Sequence, residues 1–288
     1  MKKIISLSLI LFSAFFLTGC IKRDSLENID IYTTVYPIEY ITKQLYGTHS
    51  NVYSIYPDGI NVDDYTLTNK QIKDYSKASM FIFNGLDQDK KYVIPMFNNN
   101  KNIKIIDTTL SMSFTYAKEE LWLDPSNFLM LAQNIRDGFK EYINNYYLKT
   151  EIDENYESLK VEVSNIDAKL RLLAESSNNK TIVVSNDLYR FLSKYNLNVI
   201  SLEDNGNLSE KTIADVTALI KGGSVSYIFM KQNEDTNATI KKLLATTNVE
   251  LLTLHSITNI TEEERSARKN YITLMNDNIE LLKTELYD

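Results

Sequence analysis

The sequence predicts an α/β protein: two doubly wound parallel-sheet lobes of about four strands each, joined by one long rigid helix, with an interlobe cleft. Three observations carry this. Short apolar runs rich in β-branched and aromatic residues alternate with helix-like runs in both halves, the rhythm of parallel sheets with crossover helices. Between the halves, Ile152, Tyr156, Leu159, Val163, Ile166, Leu170 and Leu173 recur at alternating steps of four and three, giving one helix a single apolar face. Gly and Pro are scarce, 8 and 4 in 288 residues, which suits long regular elements and not a many-turned sandwich.

At the N-terminus, Lys2 and Lys3 precede an apolar stretch, Ile4–Leu17, too short to span a bilayer. Leu17-Thr-Gly-Cys20 follows, with the only cysteine of the chain. This resembles the bacterial lipobox. The resemblance implies a lipoprotein signal peptide over 1–19, cleavage before Cys20, diacylglycerol on its sulfur and a lipidated tether over 20–28. An ordinary secretory signal with an incidental cysteine is the alternative. A single cysteine excludes internal disulfides and thiolate metal clusters.

Asp30–Tyr36 reads as a buried strand, and Pro37 suits the first turn of a helix reaching about Tyr46. Val52–Ile55 is the next strand. The loop Tyr56–Thr68 holds a Pro, a Gly and three aspartates. Lys70–Lys77 reads as a helix, Ser79–Asn84 and Asn102–Asp107 as strands, and Thr108–Lys118 as a loop. Pro125 opens a helix to about Leu148. The stripe above places the linking helix at Glu151–Ser176, roughly 40 Å long at 1.5 Å per residue. The first rhythm then recurs. Strands are expected at Thr181–Ser185, Asn198–Ser201, Val225–Met230 and Glu250–Leu254, and helices at Asp187–Tyr195, Ser209–Lys221, Thr236–Thr246 and Arg268–Leu286. The domains are thus expected at 29–150 for the N-terminal lobe, 151–177 for the linking helix and 178–288 for the C-terminal lobe.

The formal charge is −7, which argues against a nucleic-acid partner and favours a cationic ligand. Ligands of α/β sheets bind outside the carboxyl ends of the strands. On that rule Asp63, in the loop after the second strand, and Glu120, before Leu121–Pro125, come from the first half. Asn186 and His255 directly follow two strands of the second. If the lobes face each other, two carboxylates, an amide and an imidazole meet, a set able to hold a divalent cation. Asn186 has the alternative role of capping the helix it precedes. His49, Asp64, Asp124 and Asp187 read as loop and cap residues. Catalysis by an Asp63–Glu120 acid–base pair is the competing chemistry. No Gly-x-Ser-x-Gly, P-loop or dinucleotide fingerprint accompanies it, and the expectation is no enzyme.

Six segments in register resemble one family: Ile31–Pro37, Tyr56-Pro-Asp-Gly-Ile-Asn-Val-Asp-Asp-Tyr65, Leu121-Trp-Leu-Asp-Pro125, Ser185-Asn-Asp-Leu-Tyr-Arg-Phe191, Leu254-His-Ser-Ile257 and Tyr271–Asn278. Together they are similar to the zinc/manganese substrate-binding lipoproteins of bacterial ABC importers, whose two lobes are joined by a rigid helix. The resemblance implies capture of a divalent ion, Mn²⁺ or Zn²⁺, for an ABC permease. It also implies a monomer held by lipid on the outer face of a bacterial, Gram-positive cell membrane. The family's usual ligands are His, His, His or Glu, and Asp or Glu. The matching slots here hold Asp63, Glu120, Asn186 and His255. Fewer imidazoles shift the preference towards harder ions such as Mn²⁺. The alternative is a metal-free paralogue on the same scaffold, acting as a cell-surface binding or adhesion module or as a receptor for another small solute.

Overall fold

The structure, a computed structural model, describes residues 26–206 and 208–287. The expected signal peptide and the lipidation site Cys20 lie outside the described residues. Among the described residues, no helix is long and apolar enough to cross a membrane.

Two parallel four-stranded sheets form the frame. The first holds β1 (Ile29–Thr33), β2 (Ser50–Ser54), β3 (Met80–Phe83) and β4 (Lys104–Asp107) in the order β2-β1-β3-β4. The second holds β5 (Thr181–Val184), β6 (Asn198–Ser201), β7 (Tyr227–Lys231) and β8 (Glu250–Leu254) in the order β6-β5-β7-β8. Every pairing is parallel. Such strands are covered on both faces, which is why Met80-Phe-Ile-Phe83 is apolar throughout and fully buried. Each sheet reverses its direction of growth at its second strand, between β1 and β3 and between β5 and β7. The crevices at those carboxyl ends are the places where open α/β sheets take ligands.

Helices α1 (Tyr36–Tyr46), α2 (Asn69–Tyr75) and α3 (Val93–Asn99) serve the first sheet, with 3-10 turns at Val62–Asp64 and Gln88–Tyr92. A one-turn helix, α4 (Glu120–Leu123), leads into α5 (Pro125–Tyr142). The long helix α6 runs Tyr146–Ser176 and buries Ile152, Tyr156, Leu159, Val163, Ile166, Leu170 and Leu173, the stripe read from the sequence. Two boundaries differ from the expectation. Helix α5 stops at Tyr142, short of Leu148, and α6 starts at Tyr146, ahead of Glu151. The cause is local: the Asn145 side chain accepts the Tyr147 N–H at 2.9 Å and starts a new helix.

In the second lobe, Asp187–Tyr195 is a 3-10 helix closed by Asn196 in the left-handed region (φ 65°), not an α-helix. Helices α7 (Glu210–Lys221) and α8 (Ala238–Thr246) follow. A short helix, α9 (Glu262–Ser266), precedes the closing helix α10 (Tyr271–Leu286), which begins at Tyr271 and not Arg268 because Asn270 caps it.

The lobes share one apolar core. Ile31, Phe83, Leu159, Ile166, Val184, Phe229 and Leu254 belong to a single buried cluster, while a second lies behind the C-terminal sheet around Val183, Val216 and Ile228. Polar ties reinforce the junction. The Trp122 indole donates to the Ser256 carbonyl at 2.9 Å, and the Tyr271 hydroxyl to the Trp122 carbonyl at 2.7 Å. Backbone N–H groups of Tyr36 and Gly59 donate to Thr258 and Ile260. A hinge opening wide would break all of these, so only small relative shifts suit this junction.

Candidate functional site

The carboxyl ends of both sheets open into one cavity of about 340 Å³. The first lobe supplies Gly59–Asp63, from the loop after β2, and Ala117 and Glu119, from the approach to α4. The second supplies Asn186–Leu188 after β5, Glu203 after β6, Gln232–Glu234 after β7 and Thr258–Thr261 after β8, with Lys231 at the end of β7. All but Ala117 and Glu119 lie at or beyond the carboxyl end of a strand.

Asp63 sits in a 3-10 turn started by Asn61, whose side chain accepts the Asp63 N–H at 3.2 Å. Its carboxylate pairs with the Lys118 ammonium, which also lies 2.9 Å from Asp87 Oδ2. Burial alone would lower the Lys118 pKa, but its ion pairs with Asp63 and Asp87 push it well above the ordinary lysine value. Behind this group Asp89 is fully buried and accepts the Tyr56 hydroxyl. Burial raises its pKa to about 6, against a lowering by the hydrogen bond from Tyr56.

Asn186 reaches the cavity, and its Oδ1 accepts the Leu188 N–H at 3.0 Å, so it performs the capping role foreseen as its alternative. Its neighbours are also engaged. Glu203 accepts the Asp187 N–H at 2.8 Å, Asp187 lies 3.4 Å from Arg190, and Glu234 accepts the Ser185 hydroxyl and the Lys231 N–H.

Glu120 and His255 are not among the residues lining the cavity. The Glu120 carboxylate turns back onto its own loop and accepts the N–H groups of Thr115 and Tyr116 at 3.2 and 3.1 Å. Its predecessor Glu119, 4% exposed, takes the place at the cavity wall, with its carboxylate 3.2 Å from the Lys231 ammonium. One residue is about 100° of helical rotation, so the Glu119–Glu120 pair could be resolved only by structure. The His255 ring folds over the turn after β8. Its Nδ1 accepts the Ile257 N–H at 2.8 Å, which leaves the proton of the neutral ring on Nε2. That nitrogen lies 3.2 Å from Glu264 Oε1, out of line for a hydrogen bond. Burial lowers the His255 pKa despite the nearby Glu264 charge. Among the described residues, no group of three or more His, Cys, Asp or Glu is placed to hold a metal ion. The expected quartet is therefore not gathered into one coordination shell: Asp63 and Asn186 share the cavity, while Glu120 and His255 are held to the side.

Lys118, Glu119, Lys231 and Glu234 are site residues that no sequence motif singles out. For Lys231 and Glu234 the signal was available, because the strand-end rule that singled out Asn186 applies equally after β7. For Lys118 no local pattern shows that its side chain crosses to Asp63 and Asp87.

A sequence-family model described as "ZnuA: Zinc-uptake complex component A periplasmic" matches residues 31–285. The zinc-binding lipoprotein AdcA of Streptococcus pneumoniae is 24% identical over 310 residues, covering 98% of this chain and 61% of that protein. This chain thus spans less than two thirds of that relative's length. A metal ABC transporter substrate-binding lipoprotein of Lactococcus lactis is 26% identical over 218 residues, covering 68% of this chain and 69% of its own. Among solved structures, the Zn(II)-bound ZnuA-like domain of Streptococcus pneumoniae AdcA superposes with a TM-score of 0.73 at 21% identity, covering 91% of this chain and 100% of that one. The metal-dependent lipoprotein YcdH of Bacillus subtilis gives 0.73 at 19% identity with the same coverage. These likenesses establish the two-lobed fold.

Proposed function

From the premise that this chain belongs to the ZnuA family of zinc-uptake components, matched over residues 31–285, we propose that it is the extracytoplasmic solute-binding protein of a metal ABC importer. It captures a divalent cation in the interlobe cleft and hands it to a permease; its role is binding and release, not catalysis. The observation that carries this reading is the cavity at the carboxyl ends of both sheets, lined by Asp63 and Glu119 of one lobe and Asn186 of the other.

Asp63 and Asn186 are the members of the expected ligand set that already line the cavity. Glu120 and His255 join only if the Thr115–Tyr116 loop and the Ile257 turn release them. With oxygen donors at the wall and the imidazole turned away, the site suits a hard ion such as Mn²⁺ better than it suits Zn²⁺, the ion named for its pneumococcal relative. The reading includes a lobe at 29–150, a linking helix at 151–177 and a lobe at 178–288. It also includes anchoring through Cys20 on the outer face of the membrane, and action as a monomer.

Metal analysis tests it. Full chain purified in detergent and equilibrated with Mn²⁺ or Zn²⁺ should retain one stoichiometric ion after gel filtration. Absence of any retained ion would favour the metal-free binding module instead.

A further inference from the structure

We propose that the Lys118 ammonium is the resident counter-ion of the first lobe's cleft wall, and that a divalent cation is captured there by displacing it. The proposal rests on the cleft being a cation site and identifies the residue that sets how tightly it holds one.

Lys118 and Asp87 are not among the residues lining the cavity, whereas Ala117 and Glu119, on either side of Lys118, and its partner Asp63 are. The Lys118 ammonium joins three segments that meet outside the first sheet: its own loop, the turn after β2 through Asp63, and the turn after β3 through Asp87 at 2.9 Å. The contacts are not equally open. The Asp63 side chain is 42% exposed, that of Lys118 19% and that of Asp87 12%. Asp63 is therefore the more accessible of the two carboxylates and the one an incoming cation can reach first.

An ammonium set between two carboxylates occupies the position a metal ion would want, and it must leave before both can ligate. The lysine stem has four rotatable methylenes and a strongly hydrated head, so it can swing into solvent without backbone movement. Departure exposes carboxylate oxygens alone, the donors suited to hard divalent ions. Exchange of one positive charge for two also keeps the wall neutralised, whereas an empty wall would leave Asp63 and Asp87 in mutual repulsion. Capture is consequently weaker than the bare carboxylates would give. A pair shielded on one side lies between a surface pair and a buried one, so its displacement costs about tenfold in affinity.

Calorimetric titration of the full chain in detergent with MnCl₂ and ZnCl₂ tests this. Lys118→Met, which keeps the stem and removes the charge, should bind at least about tenfold more tightly than wild type. Lys118→Arg, which retains a cation on both carboxylates, should not gain. Lys160→Met is the control for net charge, because its ammonium pairs with Glu157 on α6 and not with a cleft carboxylate; it should gain less than about threefold. If Lys118→Met fails to fold with Asp87 left unpaired, Lys118→Met in an Asp87→Asn background, compared with Asp87→Asn alone, carries the same test through Asp63. Equal affinity of wild type and Lys118→Met overturns the displacement and leaves cation capture standing. Binding by Lys118→Met but not by wild type supports the displacement and overturns metal capture by the natural chain. Binding by neither overturns both.

Discussion

The carboxylate of Glu119 and the ammonium of Lys231 lie 3.2 Å apart inside the cleft, one from each lobe. Glu119 is buried, with 6% of its side chain exposed, and Lys231 is 28% exposed. This ion pair joins the approach to α4 to the end of β7 across the cavity. Removing its cation leaves Glu119 charged and shielded from water. Lys231→Met should therefore destabilise the fold by about 2 kcal/mol. Glu119→Gln, which leaves the more accessible lysine to the solvent, should cost about 1 kcal/mol. Urea denaturation of the two variants checks both the magnitude and the order.

Asp89 supplies a pH signature of opposite sign to ordinary carboxylates. Its pKa is raised to about 6, chiefly by burial. Folding therefore favours the protonated acid. The contribution is full below the unfolded value, about 3.9, and is lost as the pH rises through about 6. Asp89→Asn keeps an oxygen for the Tyr56 hydroxyl and removes the charge. It should stabilise the protein by about 2 kcal/mol at pH 8, with the gain vanishing near pH 4. A constant difference across that range would contradict the assignment.

His255 acts in the other direction. Burial holds its pKa below the ordinary histidine value, so folding favours the neutral ring. That contribution is full above the unfolded pKa, about 6.5, and is lost as the pH falls through the lower folded value. His255→Asn retains an acceptor for the Ile257 N–H and cannot titrate. The stability difference between wild type and this variant should accordingly shift against wild type as the pH drops from about 7 to 5. Thermal melts in a pH series read it directly.

The linking helix ties the lobes through its apolar face. Ile166 is 1% exposed within the shared core, whereas Val161 on the same helix is 62% exposed. Ile166→Ala should cost about 2–4 kcal/mol, and Val161→Ala less than about 0.5 kcal/mol. Comparable losses at the two positions would mean that the helix is not seated as described.

Much of this architecture was legible in the chain. The stripe Ile152–Leu173 repeats with the helical period over seven positions, and the structure buries all seven. Its start was not legible, because Tyr146 and Tyr147 are exposed aromatics outside the stripe, and the Asn145 cap acts on a backbone N–H that no periodicity records. The same division runs through the site. Asp63 and Asn186 were found because topology places strand-end loops at the cleft. Topology does not fix side-chain direction. His255 follows β8 as the rule requires, yet its ring folds back onto the Ile257 N–H, and Glu120 caps its own loop while Glu119 turns inward. Lys118 meets Asp63 and Asp87 only through tertiary folding, so no sequence spacing announces it.

The measurement closest to the central claim is the thermal stability of the full chain with and without a divalent ion, in wild type and in Asp63→Ala. An ion that binds only the folded state stabilises by mass action, about 2.7 kcal/mol at one hundred times its dissociation constant. The account predicts a rise in Tm with Mn²⁺ or Zn²⁺ that chelator reverses and that Asp63→Ala largely removes. No shift in wild type with either ion, or an undiminished shift in Asp63→Ala, would contradict it.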